Sequence, residues 1–167
     1  MKEISIYNLN ESTAKLIGKD WMLITSGSLD KGYNTMTASW GGMGVLWNKP
    51  VSFIFIRPQR YTYEFVEKND RYTVSFFDEN YRSALTFCGK NSGRDYDKAK
   101  ETGLTPVEAG ESVSFKEARL ILVCKKLYLQ DLKPDGFLFN NLISDNYPNK
   151  DFHRMYVGEI EKAFIKE

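Results

Sequence analysis

Hydrophobic positions in this chain fall in short runs rather than in long amphipathic stretches. Residues 21–27, Trp-Met-Leu-Ile-Thr-Ser-Gly, form an apolar run ending in a glycine turn, short enough for a strand. After a charged turn at Asp30-Lys31-Gly32, residues 34–40 (Asn-Thr-Met-Thr-Ala-Ser-Trp) suit extended backbone. They are expected as a strand that frays into Gly41-Gly42-Met43-Gly44. Residues 51–56 are apolar on both faces, as in a strand buried on both sides, and residues 71–77 are rich in strong β-formers. Two longer runs, 118–132 and 153–165, predict bent strands, or paired strands broken by a bulge near Lys125-Lys126 or Gly158.

Between these runs lie short helical patterns. Residues 11–18 read as a helix capped by Ser12 and stopped by Gly18. Residues 60–69 place Tyr61, Phe65 and Val66 on one face, with Thr62 as N-cap and Glu64 in the first turn. Residues 80–89 predict a helix from Asn80 to Gly89, and residues 94–103 a polar helix ending in glycine. The mixed pattern of residues 136–151 assigns no element. Many strands with short helices between them, lacking regular β-α alternation, predict one mainly β domain over residues 1–167. A closed barrel with inserted helices fits better than a doubly wound sheet.

Composition narrows the function. Twenty-three Lys and Arg balance 22 Asp and Glu, which argues against a general nucleic-acid or membrane-surface binder but leaves room for a local phosphate site. No segment approaches the roughly 20 apolar residues of a membrane span, and the N-terminus has no signal-type apolar core. Cys88 and Cys124 form no CxxC motif and read as buried reduced thiols, so a cytoplasmic location is expected. With His153 as the single histidine, a multi-histidine metal site is impossible, and no metal is expected.

Candidate chemistry concentrates in three places. The hydroxyl-rich run 34–40 is poor core material, because its hydroxyls need partners if buried; a polar ligand could supply them. Its glycines do not make a dinucleotide loop, since they lead into a strand rather than a helix. Arg57-Pro58-Gln59-Arg60-Tyr61-Thr62 sits where a strand ends and a helix begins. Free N–H groups and arginine forks there suit phosphate, although a solvated turn with a capping threonine reads equally well. Cys88-Gly89-Lys90-Asn91-Ser92-Gly93-Arg94-Asp95 is a glycine-flanked loop that either closes over a ligand or connects two helices. His153 ties to no nucleophile, and no paired carboxylates stand out.

Taken in order, WMLITSG…NTMTASWGG, NKPVSFIFIRPQRYTYEF and CGKNSGRDYDKAKETGLTP resemble the flavin reductase-like, FMN-binding split-barrel family, which includes flavoredoxins. HRMYVGEI is similar to the family's last barrel strand, and the resemblance runs roughly from residue 15 to 162. It implies a six-stranded Greek-key split β-barrel working as a homodimer, with FMN near the subunit interface. Asn34, Met36, Thr37, Ala38, Ser39 and Trp40 would lie along the flavin site, residues 36–40 beside the ring. Arg57, Pro58, Arg60, Tyr61 and Thr62 would form the phosphate turn, helped by Lys90 and Ser92. His153 is a weak candidate near the ring, and no residue is assigned catalysis, because flavin carries the hydride itself. The implied activity is hydride transfer from NADH or NADPH to FMN and on to an acceptor. The alternatives are a flavoredoxin-type electron carrier docking on a redox partner, a protein that releases reduced FMN, and a binding module without redox chemistry.

Overall fold

The computed structural model describes residues 1–167. In chain order the strands are β1 (Lys2–Ile4), β2 (Met22–Ser28), β3 (Gly32–Ala38), β4 (Gly41–Leu46), β5 (Lys49–Ile56), β6 (Arg71–Phe76), β7 (Pro106–Ala109), β8 (Ser112–Phe115), β9 (Leu120–Asp131) and β10 (Arg154–Ile165). The helices are α1 (Thr13–Lys15), α2 (Tyr61–Lys68), α3 (Arg82–Lys90), α4 (Lys98–Thr102) and α5 (Asn140–Asn146).

One antiparallel sheet dominates, in the order β3-β2-β6-β9-β10-β5-β4, with β1 also paired to β10; β7 and β8 form a separate hairpin. The two edge strands, β3 and β4, follow one another in the chain with only Ser39 and Trp40 between them. Three Cα steps span at most about 11 Å. The sheet must therefore curl until its edges approach, leaving a barrel split between β3 and β4. The six strands expected from sequence are β2, β3, β5, β6, β9 and β10, and β1 and β4 extend their sheet.

Alternation along the central strands divides the core. Met22 and Ile24 of β2, and Leu120, Leu122 and Cys124 of β9, point into one cluster with Ile54, Tyr72 and Tyr156. Their neighbours Leu23, Ile121 and Val123 point into a second cluster with Leu85, Leu104 and Phe115. Each such side chain, fully withdrawn from water, contributes about 1.5–3 kcal/mol. The expected bulges are found on the β9–β10 pair, whose register shifts between Val157 and Gly158 and again between Ile160 and Lys162.

Several local expectations change. Gly41–Leu46 does not fray: it is a strand, held by pairing with β5 from Gly41 opposite Ile54 to Leu46 opposite Lys49. The first helix shortens to Thr13–Lys15, capped by Ser12 as expected, and continues as a wider turn through Asp20. Thr62 is not a cap. Arg60 occupies that position without a side-chain cap bond, and Thr62 lies buried inside α2. Helix α3 starts at Arg82 rather than Asn80 and runs past Gly89. The polar helix contracts to α4, where the Asp97 carboxylate accepts from Lys100 N–H and Gly103 closes the helix in a left-handed conformation.

Candidate functional site

Strand β3 lines two adjoining cavities at the open side of the barrel. The first, of about 180 Å³, collects Asn34, Arg60, Thr62, Lys90, Ser92 and Lys98. Four elements build it, and hydrogen bonds between them fix its shape. The Asn34 amide donates to Thr62 Oγ1 at 2.8 Å, joining β3 to α2. Arg60 Nη1 donates to Gly89 O at 2.9 Å, joining the start of α2 to α3. Lys98 Nζ donates to Thr35 O at 2.7 Å and to Cys88 O at 2.8 Å, joining α4 to β3 and α3. The loop at Gly93 seats directly on Asn34, since a Cβ there would stand 1.9 Å from Asn34 Oδ1.

No carboxylate lines this basin. Burial lowers the Arg60 pKa, and Arg57 nearby lowers it further. Burial likewise pulls Lys98 down to about 8, with Arg60 adding to the effect. Buried charges in folded proteins are normally paired. Here a buried lysine and a partly buried arginine hold only backbone carbonyls, and the first N–H groups of α2, at Tyr61 and Thr62, have no intrahelical acceptor. The donor set lacks one partner, an anion.

The second cavity, of about 200 Å³, shares Arg60 with the first. Its walls are Met36, Thr37, Ala38, Ser39, Trp40 and Phe55, with Arg57 and His153. Trp40 is half exposed at its rim, with its ring centroid 5.2 Å from that of His153. Tyr147 Oη meets His153 Nδ1 at 2.9 Å and fixes the imidazole. Burial, then Arg57, pushes His153 down to about 4, so it stays neutral near pH 7. Apolar and aromatic walls with a few polar groups suit a flat organic ring. Together the two cavities make a slot along β3, a cationic basin at one end and a chamber of mixed aromatic, aliphatic and polar walls at the other.

The model of the flavin reductase like domain matches residues 15–167. The chain belongs to that family. Its fold is shared with the flavoredoxin of Desulfovibrio vulgaris (Miyazaki F), at TM-score 0.69 and 20% identity over 100% of this chain and 78% of that one. An FMN-binding protein from Thermus thermophilus, solved with bound 1-cyclohex-2-enone, gives 0.68 at 16% over 97% and 80%. Nitrilotriacetate monooxygenase component B from Bacillus cereus gives 0.70 at 17% over 100% and 82%. No curated protein sequence matches. At these identities the likeness is one of fold.

Most of the residues singled out from sequence fall in this slot. Asn34, Arg60, Tyr61, Thr62, Lys90 and Ser92 line the cationic basin, and Met36–Trp40 line the chamber, as does His153. Two differ from expectation. Arg57, expected at the phosphate, lines the chamber instead, where it pairs with Asp151 and donates to Asn146 O at 2.8 Å. It latches residues 146–151 to the end of β5. Pro58 lines neither cavity. The hydroxyls of the β3 run are also less free than their sequence suggests. Thr35 Oγ1 pairs with Thr25 Oγ1, and Thr37 Oγ1 donates to Leu85 O, which leaves Ser39 without a protein partner. Lys98 was hidden in a polar helical pattern, and nothing local marks it as buried. Phe55 lies within an apolar strand run, which carries no sign of its place in the chamber wall.

Proposed function

We propose that the protein binds one FMN in the slot along β3 and serves as an NAD(P)H-dependent flavin oxidoreductase. The observation that carries this reading is a carboxylate-free cationic basin opening into a ring-sized chamber, with Arg60 common to both. Family membership supports it, as does the name of the FMN-binding Thermus thermophilus protein of like fold. The residues fit the group. Arg60, Lys90, Ser92 and the first N–H groups of α2 would hold the phosphate, and Met36–Trp40 would flank the ring. Bound FMN supplies hydride acceptance and onward electron transfer. The chain positions and shields: Phe55 and Met36 keep water from the ring site, Ser39 offers a free hydroxyl, and Tyr147 keeps His153 in one orientation. Neutral His153 gives the chamber a hydrogen-bonding group without adding a third cation to Arg57 and Arg60.

A visible spectrum with added FMN, then with NADH or NADPH under argon, tests the proposal. A bound, perturbed flavin that bleaches with either nucleotide is expected. Absence of binding would overturn the reading. Binding without bleaching would favour an electron carrier, a reading supported by the exposed Trp40 at the chamber mouth, where a redox partner could approach. We further propose a homodimer, supported by exposed Trp47, Tyr128, Leu138 and Phe139. Balanced charge supports the absence of nucleic-acid partners, and no helix is long and apolar enough to cross a membrane.

A further inference from the structure

Tyr147 comes from the segment between β9 and β10 that shows no periodicity in the sequence. It is buried in an aromatic cluster. Phe152 stacks on its ring at 4.8 Å, Phe137 stands edge-on at 5.7 Å, and the Arg57 guanidinium lies 5.1 Å from its centroid. Asp151 pairs with Arg57 and accepts from Gln59 Nε2 at 2.6 Å, which ties the cluster to the end of β5 and the turn before α2. Packing does not call for the hydroxyl, since the cluster's other two aromatic residues are phenylalanines. Burying a hydroxyl costs free energy unless it is hydrogen-bonded. This one has a single partner, His153 Nδ1 at 2.9 Å.

Proton counting fixes the direction of that bond. The imidazole is neutral near pH 7, because burial, Arg57 and Arg60 oppose its charge and only Asp151 favours it. A neutral imidazole carries one N–H. Were that proton on Nδ1, the phenol proton of a buried tyrosine would have no acceptor. Tyr147 therefore donates, Nδ1 accepts, and the ring proton sits on Nε2. Nε2 has no protein partner, yet it is not one of the buried unpartnered side-chain atoms, which are Arg82 Nη1 and Asp151 Oδ1. It is reached through the chamber that His153 lines.

We propose that Tyr147 is a positioning residue: it locks His153 as an Nε2–H donor, so that the chamber holds its ligand through a neutral acceptor, a conjugated carbonyl oxygen. The opposite tautomer would present a lone pair and select a ligand N–H or O–H instead. Arg57, which lines the same chamber, is already paired with Asp151, so His153 and Ser39 are left as neutral hydrogen-bonding groups there. Two carbonyls answer this description: one on the flavin ring itself, and one on a second planar compound resting against that ring. The identity of the ligand rests on the flavin reading above; the Tyr147 hydrogen bond does not.

The test is nitrogen NMR of the protein labelled with ¹⁵N-histidine. His153 is the single histidine, so one imidazole is seen. At pH 7 the wild type should show Nε2 protonated and Nδ1 bare; an Nδ1–H tautomer overturns the proposal, and this measurement needs no variant. Tyr147→Phe keeps the ring and removes the donor. Its two nitrogen signals should move toward each other as the tautomers mix, and an unchanged spectrum overturns the positioning role. FMN is then added to the wild type, followed by benzaldehyde as the carbonyl probe. The Nε2–H signal should shift on adding FMN when a ring carbonyl is the acceptor, and only on adding benzaldehyde when a second ligand is. No shift in FMN-loaded protein with either addition overturns the carbonyl assignment. Failure to bind FMN at all defeats the functional reading separately, and the tautomer of the free protein still decides the role of Tyr147.

Discussion

Arg60 is the residue on which both cavities meet. Its guanidinium is largely withdrawn from solvent and finds only Gly89 O, so its charge awaits a ligand. Replacing it with Ala should weaken FMN binding by roughly 1–3 kcal/mol, measured by isothermal titration; unchanged affinity would mean that the phosphate lies elsewhere. His153 makes a separate residue-scale prediction. In the unfolded chain it protonates near pH 6.5, but in the folded chain not until about 4. The unfolded state therefore binds more protons between those values, and stability falls as pH drops through that window. In His153→Gln this contribution vanishes, so the loss of denaturant midpoint between pH 7 and pH 4.5 should shrink relative to wild type. An identical loss would show that His153 titrates normally. At this scale sequence was only partly informative. The Arg60 turn, the β3 hydroxyl run and the 90–92 loop carry their chemistry openly. Thr62 resembles a cap in sequence, as a hydroxyl near a helix start does, whereas in the fold Asn34, 28 positions away, claims it. Lys98 looked like one more solvated charge, because its burial comes from β3 and α3 packing over it.

Strands with apolar runs were legible as elements because β-branched and aromatic side chains fill both of the chain's cores. Strand β4 was not, since Gly41, Gly42 and Gly44 have no propensity to report; pairing with β5 imposes the strand. Residues 136–151 also lacked a periodicity. What orders them is aromatic packing, with Tyr147 stacked on Phe152 at 4.8 Å and both near Phe137, together with the Arg57 latch. The β9–β10 bulge at Gly158 serves the barrel interior. A Cβ there would stand 2.2 Å from Tyr72 Oη, which itself bonds Ser52 Oγ at 2.7 Å. Gly158→Ala should therefore lower stability by about 1–3 kcal/mol, the usual cost of overpacking, with flavin affinity per folded molecule unchanged. A thermal melt indistinguishable from wild type would show that Tyr72 can move aside.

Across the whole molecule, the split in the barrel locates the function. The strand edges that fail to pair leave β3 open, and Ser39-Trp40 crosses the gap directly over the chamber. The mainly β architecture with short inserted helices followed from the order of runs in the sequence, but the meeting of β3, α2, α3 and α4 around one basin is a product of long-range packing. Apolar surface remains outside that core. Trp47 and Asn48 both adopt left-handed backbone in the β4–β5 turn, and the Trp47 ring stands 6.1 Å from Tyr128, both exposed. If this patch joins two copies, Trp47→Asp should halve the mass measured by light scattering on a sizing column. A wild type already monomeric at micromolar concentration would contradict the dimer.

The central claim is that one FMN lies along β3 with its phosphate on Arg60. A crystal structure of the protein soaked in FMN tests this most directly. The account predicts density for the ring between Met36–Trp40 and Phe55, with the phosphate within hydrogen-bonding distance of Arg60 and the start of α2. A slot closed by Trp40 and His153, with any flavin bound at another surface, would contradict it.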